Sequence, residues 1–152
     1  MAMIQIPPDF KEFLQLLNAR NVEYLVVGGY AVGYYGYPRA TGDMDIWIAF
    51  NPSNIRGAAE ALREFGFAIP EPLESFLSAG EFIGIGNAPL RIEILTSISG
   101  VNFEECYQAR TTTVIDDVEI NLIGLEQLKE NKQASGRMKD INDLQNLPKF
   151  SS

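Results

Sequence analysis

Asp43 and Asp45 stand two residues apart in an otherwise apolar run, Asp43-Met44-Asp45-Ile46, a short way downstream of the pair Gly28-Gly29. On a strand, residues i and i+2 project from the same face, so the two carboxylates would lie side by side with Cα atoms about 6.6 Å apart. That separation lets both converge on one divalent ion or a pair of ions without colliding. The glycine pair follows the apolar Tyr24-Leu25-Val26-Val27 and feeds a helix start, leaving bare backbone N–H groups where a phosphate can lie. Carboxylates for a metal beside a cradle for phosphate are the parts that nucleotidyl transfer requires.

Other chemistries are removed by composition. The 152 residues contain no histidine, which eliminates a Ser/His/Asp triad, a Cys/His pair and a His-ligated zinc site. A single cysteine, Cys106, excludes an internal disulfide framework and fits a reducing, cytoplasmic setting. Carboxylates, lysines, hydroxyls and bound metal remain. A net charge of −8 argues against non-specific nucleic-acid binding, while leaving room for a specific substrate such as tRNA on a local basic patch. The stretch from Met1 to Pro8 lacks the basic and apolar regions of a signal peptide, and no apolar run reaches the roughly 20 residues of a membrane span.

The elements that must hold the acids follow from periodicity. Phe10, Phe13, Leu14 and Leu17 mark an amphipathic helix entered through Pro7-Pro8-Asp9. Tyr24 to Val27 reads as a strand, Tyr30 to Tyr35 as a small helix ended near Gly36, and Asp43 to Phe50 as a second strand. That second strand has Met44, Ile46 and Ile48 on one face and Asp43, Asp45 and Trp47 on the other. Ser53 is placed to cap a helix through Ile55, Ala59, Leu62 and Phe65, stopped by Gly66. Phe67 to Ile69 is expected to be a short strand. Phe82 to Gly86 with Leu90 to Leu95, and Thr112 to Ile115 with Val118 to Ile123, read as hairpins around a helix at Phe103 to Ala109. Gly124 to Gln133 and Met138 to Leu147 read as polar helices. Helices alternating with strands early and hairpins late predict an α/β (α+β) fold, a mixed β-sheet flanked by helices, in one domain over residues 1–152.

A tight turn accounts for a lone Gly-Gly, and a wet strand face for a lone Asp-x-Asp. Together and at this spacing they resemble the signature of the DNA polymerase β-like nucleotidyltransferase superfamily. Arg39-Ala40-Thr41 resembles the Arg-x-Thr loop of its minimal members. The superfamily places a third acid on a neighbouring strand, and Arg91-Ile92-Glu93-Ile94-Leu95 offers Glu93 where aspartate is commoner. Near the C-terminus, Lys132, Arg137, Lys139-Asp140 and Asp143 resemble the "K…R.KD..D" pattern of abortive-infection nucleotidyltransferase toxins. There the lysine is expected near the nucleotide phosphates and the acids near the base or acceptor. Lys132 and Arg137 are five apart and need not share a helix face, and Gly136 is expected to break the helix between them.

The resemblance implies that Asp43, Asp45 and Glu93 bind Mg²⁺ or Mn²⁺ and carry catalysis. It implies that Gly28, Gly29, Arg39, Thr41, Lys132, Arg137 and Asp140 bind the nucleotide. The expected reaction moves a nucleoside monophosphate from an NTP to a hydroxyl of a protein, a tRNA or a small molecule. Small size fits half of a toxin–antitoxin or defence pair acting with a separate helical protein partner. Aminoglycoside and lincosamide enzymes of the superfamily are expected to carry extra sequence for the drug. The alternative is a non-catalytic nucleotide- or partner-binding protein on the same fold. Tyr30, Tyr34, Tyr35 and Tyr37 could stack on a base or pack in the core.

Overall fold

The computed structural model describes residues 6–37, 42–67, 82–87 and 90–148. The chain order is α1 (Pro8–Ala19), β1 (Tyr24–Val27), α2 (Gly28–Tyr34), β2 (Asp43–Ile48), α3 (Pro52–Phe65), β3 (Phe82–Asn87), β4 (Leu90–Leu95), α4 (Phe103–Gln108), β5 (Thr111–Ile115), β6 (Val118–Leu122), α5 (Leu125–Ser135) and α6 (Met138–Asn146). The strands form a single six-stranded sheet in the order β3-β4-β2-β1-β6-β5. It is mixed, as expected: β2 runs parallel to β4 and β1 parallel to β6, and the other neighbours are antiparallel.

Alternation along β2 divides the sheet into two unlike faces. Met44, Ile46 and Ile48 are fully buried and belong to the core cluster with Phe10, Phe13, Leu14 and Leu17 of α1. α1 crosses β6 and β4 and lies beside α3. Deep in the opposite face, Trp47 packs edge-on against Phe103 of α4, ring centroids 5.1 Å apart. Farther along that face the apolar residues give way to acids.

Several boundaries depart from the sequence reading. α2 begins at Gly28 rather than Tyr30, because Gly28 takes φ +64° and turns the chain directly from β1 into the helix. Asn51, not Ser53, caps α3: its side chain accepts from the Asn54 backbone N–H at 2.9 Å, and Pro52 fills the first helical position. Gly66 ends that helix with φ +114°, as its position predicts. β2 stops at Ile48, before Phe50. Phe67 is not in a strand, and the rest of the strand expected there lies outside the described residues. Asp116 and Asp117, both at positive φ, form the tight turn between β5 and β6. Among the described residues no helix is long and apolar enough to cross a membrane.

Candidate active site

The register of the sheet brings the acids together. Asp45 lies directly opposite Glu93 across the parallel β2–β4 pair, and Asp43 opposite Arg91 one step farther along the same face. Neighbouring strands are about 4.8 Å apart, so carboxylates in one row are in mutual reach. Val27 completes the Asp45 row from β1, which places the start of α2 immediately beside Asp45. The approach is so close that a Cβ on Gly28 would fall 2.1 Å from Asp45 Oδ2. Gly28 is therefore required twice, by its left-handed backbone and by the carboxylate resting against it.

These residues line one open cleft of about 620 Å³. Its walls include Gly28, Gly29, Asp43, Asp45 and Glu93 on the sheet side, and Lys132, Ser135, Arg137 and Lys139 from the corner between α5 and α6. Burial, a hydrogen bond to Glu93 and the charges of Glu93 and Asp43 push the Asp45 carboxyl up to about 7, while Lys139 pulls it the other way. Asp45 thus sits in a crowd of like charge that favours its protonated form.

Three carboxylates supply hard oxygen donors of the kind Mg²⁺ or Mn²⁺ takes. Asp45 Oδ1 is buried and finds no hydrogen-bond partner among the described residues, so it is a donor without an occupation. Among the described residues no group of three or more acidic or thiol side chains stands ready to hold an ion as it is. The fit to a cation rests on the donor chemistry and on that orphaned oxygen.

The C-terminal cluster is assembled across a break in the helix. Gly136, at φ +64°, ends α5, and Arg137 opens α6. Lys132 Nζ lies 3.2 Å from Asp140 Oδ1 and 3.1 Å from Asp143 Oδ2, with all three side chains buried. Asp140 also accepts from Arg137, at 2.7 Å from Nε and 3.3 Å from Nη2. Burial alone would raise the Asp140 carboxyl, but hydrogen bonds from Arg137, Ser135 and Lys132 hold it well below the usual carboxylate range.

The placements of the sequence-derived residues differ in kind. Gly28, Gly29, Asp43, Asp45, Glu93, Lys132 and Arg137 meet at the cleft. Asp140 lies behind it, completely buried, and is not one of the residues lining it. Arg39 and Thr41 lie outside the described residues. The tyrosines pack instead of lining the cleft: Tyr30 stands edge-on to Phe10, and the Tyr35 hydroxyl donates to the Ile123 carbonyl at 2.7 Å. Ser97, Ser99, Asn131 and Ser135 line the cleft without having been singled out, and Lys139, quoted only as part of the C-terminal pattern, lines it too. The Thr96-Ser97-Ile98-Ser99 run directly after the Glu93 strand was the available signal, and Asn131 Nδ2 donates to the Ser99 carbonyl at 3.0 Å, tying that loop to α5.

This sheet order and its helices define a nucleotidyltransferase-type fold, and solved structures agree. The chain is similar to a lincosamide antibiotic adenylyltransferase, LnuA, solved with lincomycin bound, at 17% identity and TM-score 0.62, covering 96% of this chain and 98% of that one. It is also similar to TM1012 of Thermotoga maritima, a candidate nucleotidyltransferase, at 18% identity and TM-score 0.58 with 93% of each chain covered. No protein-family model and no curated protein matches the sequence. Beside the expectation that lincosamide enzymes carry extra sequence, 98% of the LnuA chain is covered.

Proposed function

We propose that this protein is a metal-dependent nucleotidyltransferase that moves a nucleoside monophosphate from an NTP to an acceptor hydroxyl. The observation that carries the reading is the cross-strand row of Asp45 and Glu93, with Asp43 beside it and Gly28 pressed against Asp45. Asp43, Asp45 and Glu93 would hold Mg²⁺ or Mn²⁺, which supplies charge neutralisation at the phosphates and activation of the acceptor hydroxyl when bound. Gly28 and Gly29 admit the phosphates close to the backbone at the head of α2. Arg137 and Lys139 face the acids across the cleft and offset charge on the departing pyrophosphate. The acceptor oxygen bonds to the α-phosphorus, the bond to pyrophosphate breaks, and Glu93 takes the hydroxyl proton before passing it to water.

The acceptor is a protein, a tRNA or a small molecule, and chain length does not separate these, because LnuA is spanned almost completely. Membership of a toxin–antitoxin or defence pair with a helical protein partner remains part of the proposal. Binding of nucleotide or partner without transfer is the competing reading, favoured by glutamate standing where aspartate is commoner.

The test is thermal denaturation of the purified chain with each NTP, with and without Mg²⁺ or Mn²⁺, followed by pyrophosphate release over a panel of acceptors. A stabilisation needing both metal and nucleotide, followed by release with one acceptor class, supports transfer. Stabilisation without release under any acceptor supports the binding-only reading. No stabilisation with any combination overturns both transfer and nucleotide binding and leaves the partner-binding reading.

A further inference from the structure

Lys132, Arg137, Asp140 and Asp143 carry formal charges that cancel, yet they are unequally placed. The Lys132 side chain is 4% exposed and its two aspartates at most 1%, whereas the Arg137 side chain is 60% exposed. Lys132 Nζ has two of its three donors committed to buried carboxylates. Withdrawing it toward a ligand would leave two buried negative charges facing each other, at a heavy desolvation cost.

Asp140 is saturated. Its Oδ1 accepts from Lys132 Nζ and Arg137 Nη2, and its Oδ2 from Arg137 Nε and the Arg137 backbone N–H at 3.2 Å. A carboxylate has about four acceptor sites, and these donors, with the Ser135 side chain as a further one, fill them from this chain's own groups. Asp140 has nothing left for a base or an acceptor.

Arg137 is the reverse case. Asp140 engages only its Nε edge, and the Nη1 edge carries the remaining donors in a planar fork suited to two phosphate oxygens. The fork is fixed in orientation from behind and stands in the wall of the cleft. We infer that Arg137 grips the polyphosphate of the nucleotide, and that Lys132 and Asp140 are positioning residues that hold its guanidinium from behind without touching the ligand. The assignment rests on the nucleotide reading above, and it moves the phosphate contact from the lysine to the arginine.

A double-mutant cycle separates the two roles. The probes are inorganic tripolyphosphate and the Mg²⁺ complex of whichever NTP stabilises the wild type, followed by calorimetric titration. Arg137→Gln weakens both probes by on the order of tenfold to a hundredfold, the worth of a charge-assisted pair. Lys132→Met weakens them in the wild-type background and has no further effect in the Arg137→Gln background. In any transfer assay Arg137→Gln raises KM for the NTP and, because the same guanidinium offsets charge on the departing pyrophosphate, lowers kcat as well. Additive losses from the two substitutions would mean that Lys132 meets the phosphate itself, which overturns the inference. Arg137→Lys, which keeps the charge and loses the fork, is read independently of whether Lys132→Met folds. It stays weak if the inference holds, and wild-type affinity in that variant overturns it. Wild-type protein that binds neither probe overturns the nucleotide reading as well, whereas tight binding unaffected by Arg137→Gln overturns this inference alone.

Discussion

Asp45 is where sequence and environment are most at odds, since a carboxylate sits half-buried between two others and against a glycine backbone. Its pKa is raised from 3.8 to about 7 by burial first and Glu93 second, so the folded state holds a proton that the unfolded chain releases near pH 4. The stability this proton confers is fully present below about pH 4 and is lost as pH rises through about 7. Asp45→Asn therefore raises the melting temperature of metal-free protein more at pH 8 than at pH 5, and it abolishes metal-dependent transfer. Equal gains at both pH values would show that the acid crowd is not what destabilises the site. Metal binding must displace the same proton, so Mg²⁺ affinity increases with pH up to about 7, measurable by titration calorimetry in two buffers of different ionisation enthalpy. Gly28→Ala forces a side chain into a left-handed backbone, costing about 1–2 kcal/mol in chemical denaturation. It also pushes Asp45 aside, so it loses metal-dependent nucleotide binding at temperatures where it remains folded.

At the level of elements, helix ends do much of the positioning. Asn51 caps α3, and Asn54 in its first turn bonds the Glu23 backbone N–H and the Ala49 carbonyl, stitching the helix to the chain just before β1 and just after β2. Asn51→Ala should cost about 1 kcal/mol in urea denaturation and leave the cleft chemistry unchanged. Ser53→Ala should cost much less, because its hydroxyl is not the cap. The hydrophobic pattern identified α1, β2 and α3 because each buries one face and shows it in spacing, and β1 because it is a short run buried and apolar throughout. It misplaced the start of α2 and the cap of α3 because these depend on backbone conformation at single residues, Gly28 and Asn51, rather than on a repeating pattern.

For the whole molecule, the decisive event is the parallel pairing of β2 with β4 across forty-odd residues of intervening chain, which sets Asp45 opposite Glu93. A ligand that binds only the assembled site stabilises it by about 2.7 kcal/mol at a hundredfold excess over Kd. Metal and nucleotide together should thus raise the melting temperature, and Glu93→Ala should remove the rise without unfolding the sheet, since its side chain is partly exposed. Local spacing within the sequence determined that Asp43 and Asp45 share a face, that Gly28-Gly29 turns a strand into a helix, and that Gly136 parts Lys132 from Arg137. These are consequences of strand and helix periods and of glycine's freedom, which act over a few residues. Only the tertiary structure decided that Glu93 stands beside Asp45, that Ser97 and Lys139 reach the same cleft, and that Lys132 is walled in by Asp140 and Asp143. Those placements depend on register and packing between segments far apart in the chain, where a single-residue slip would turn each side chain to the opposite face.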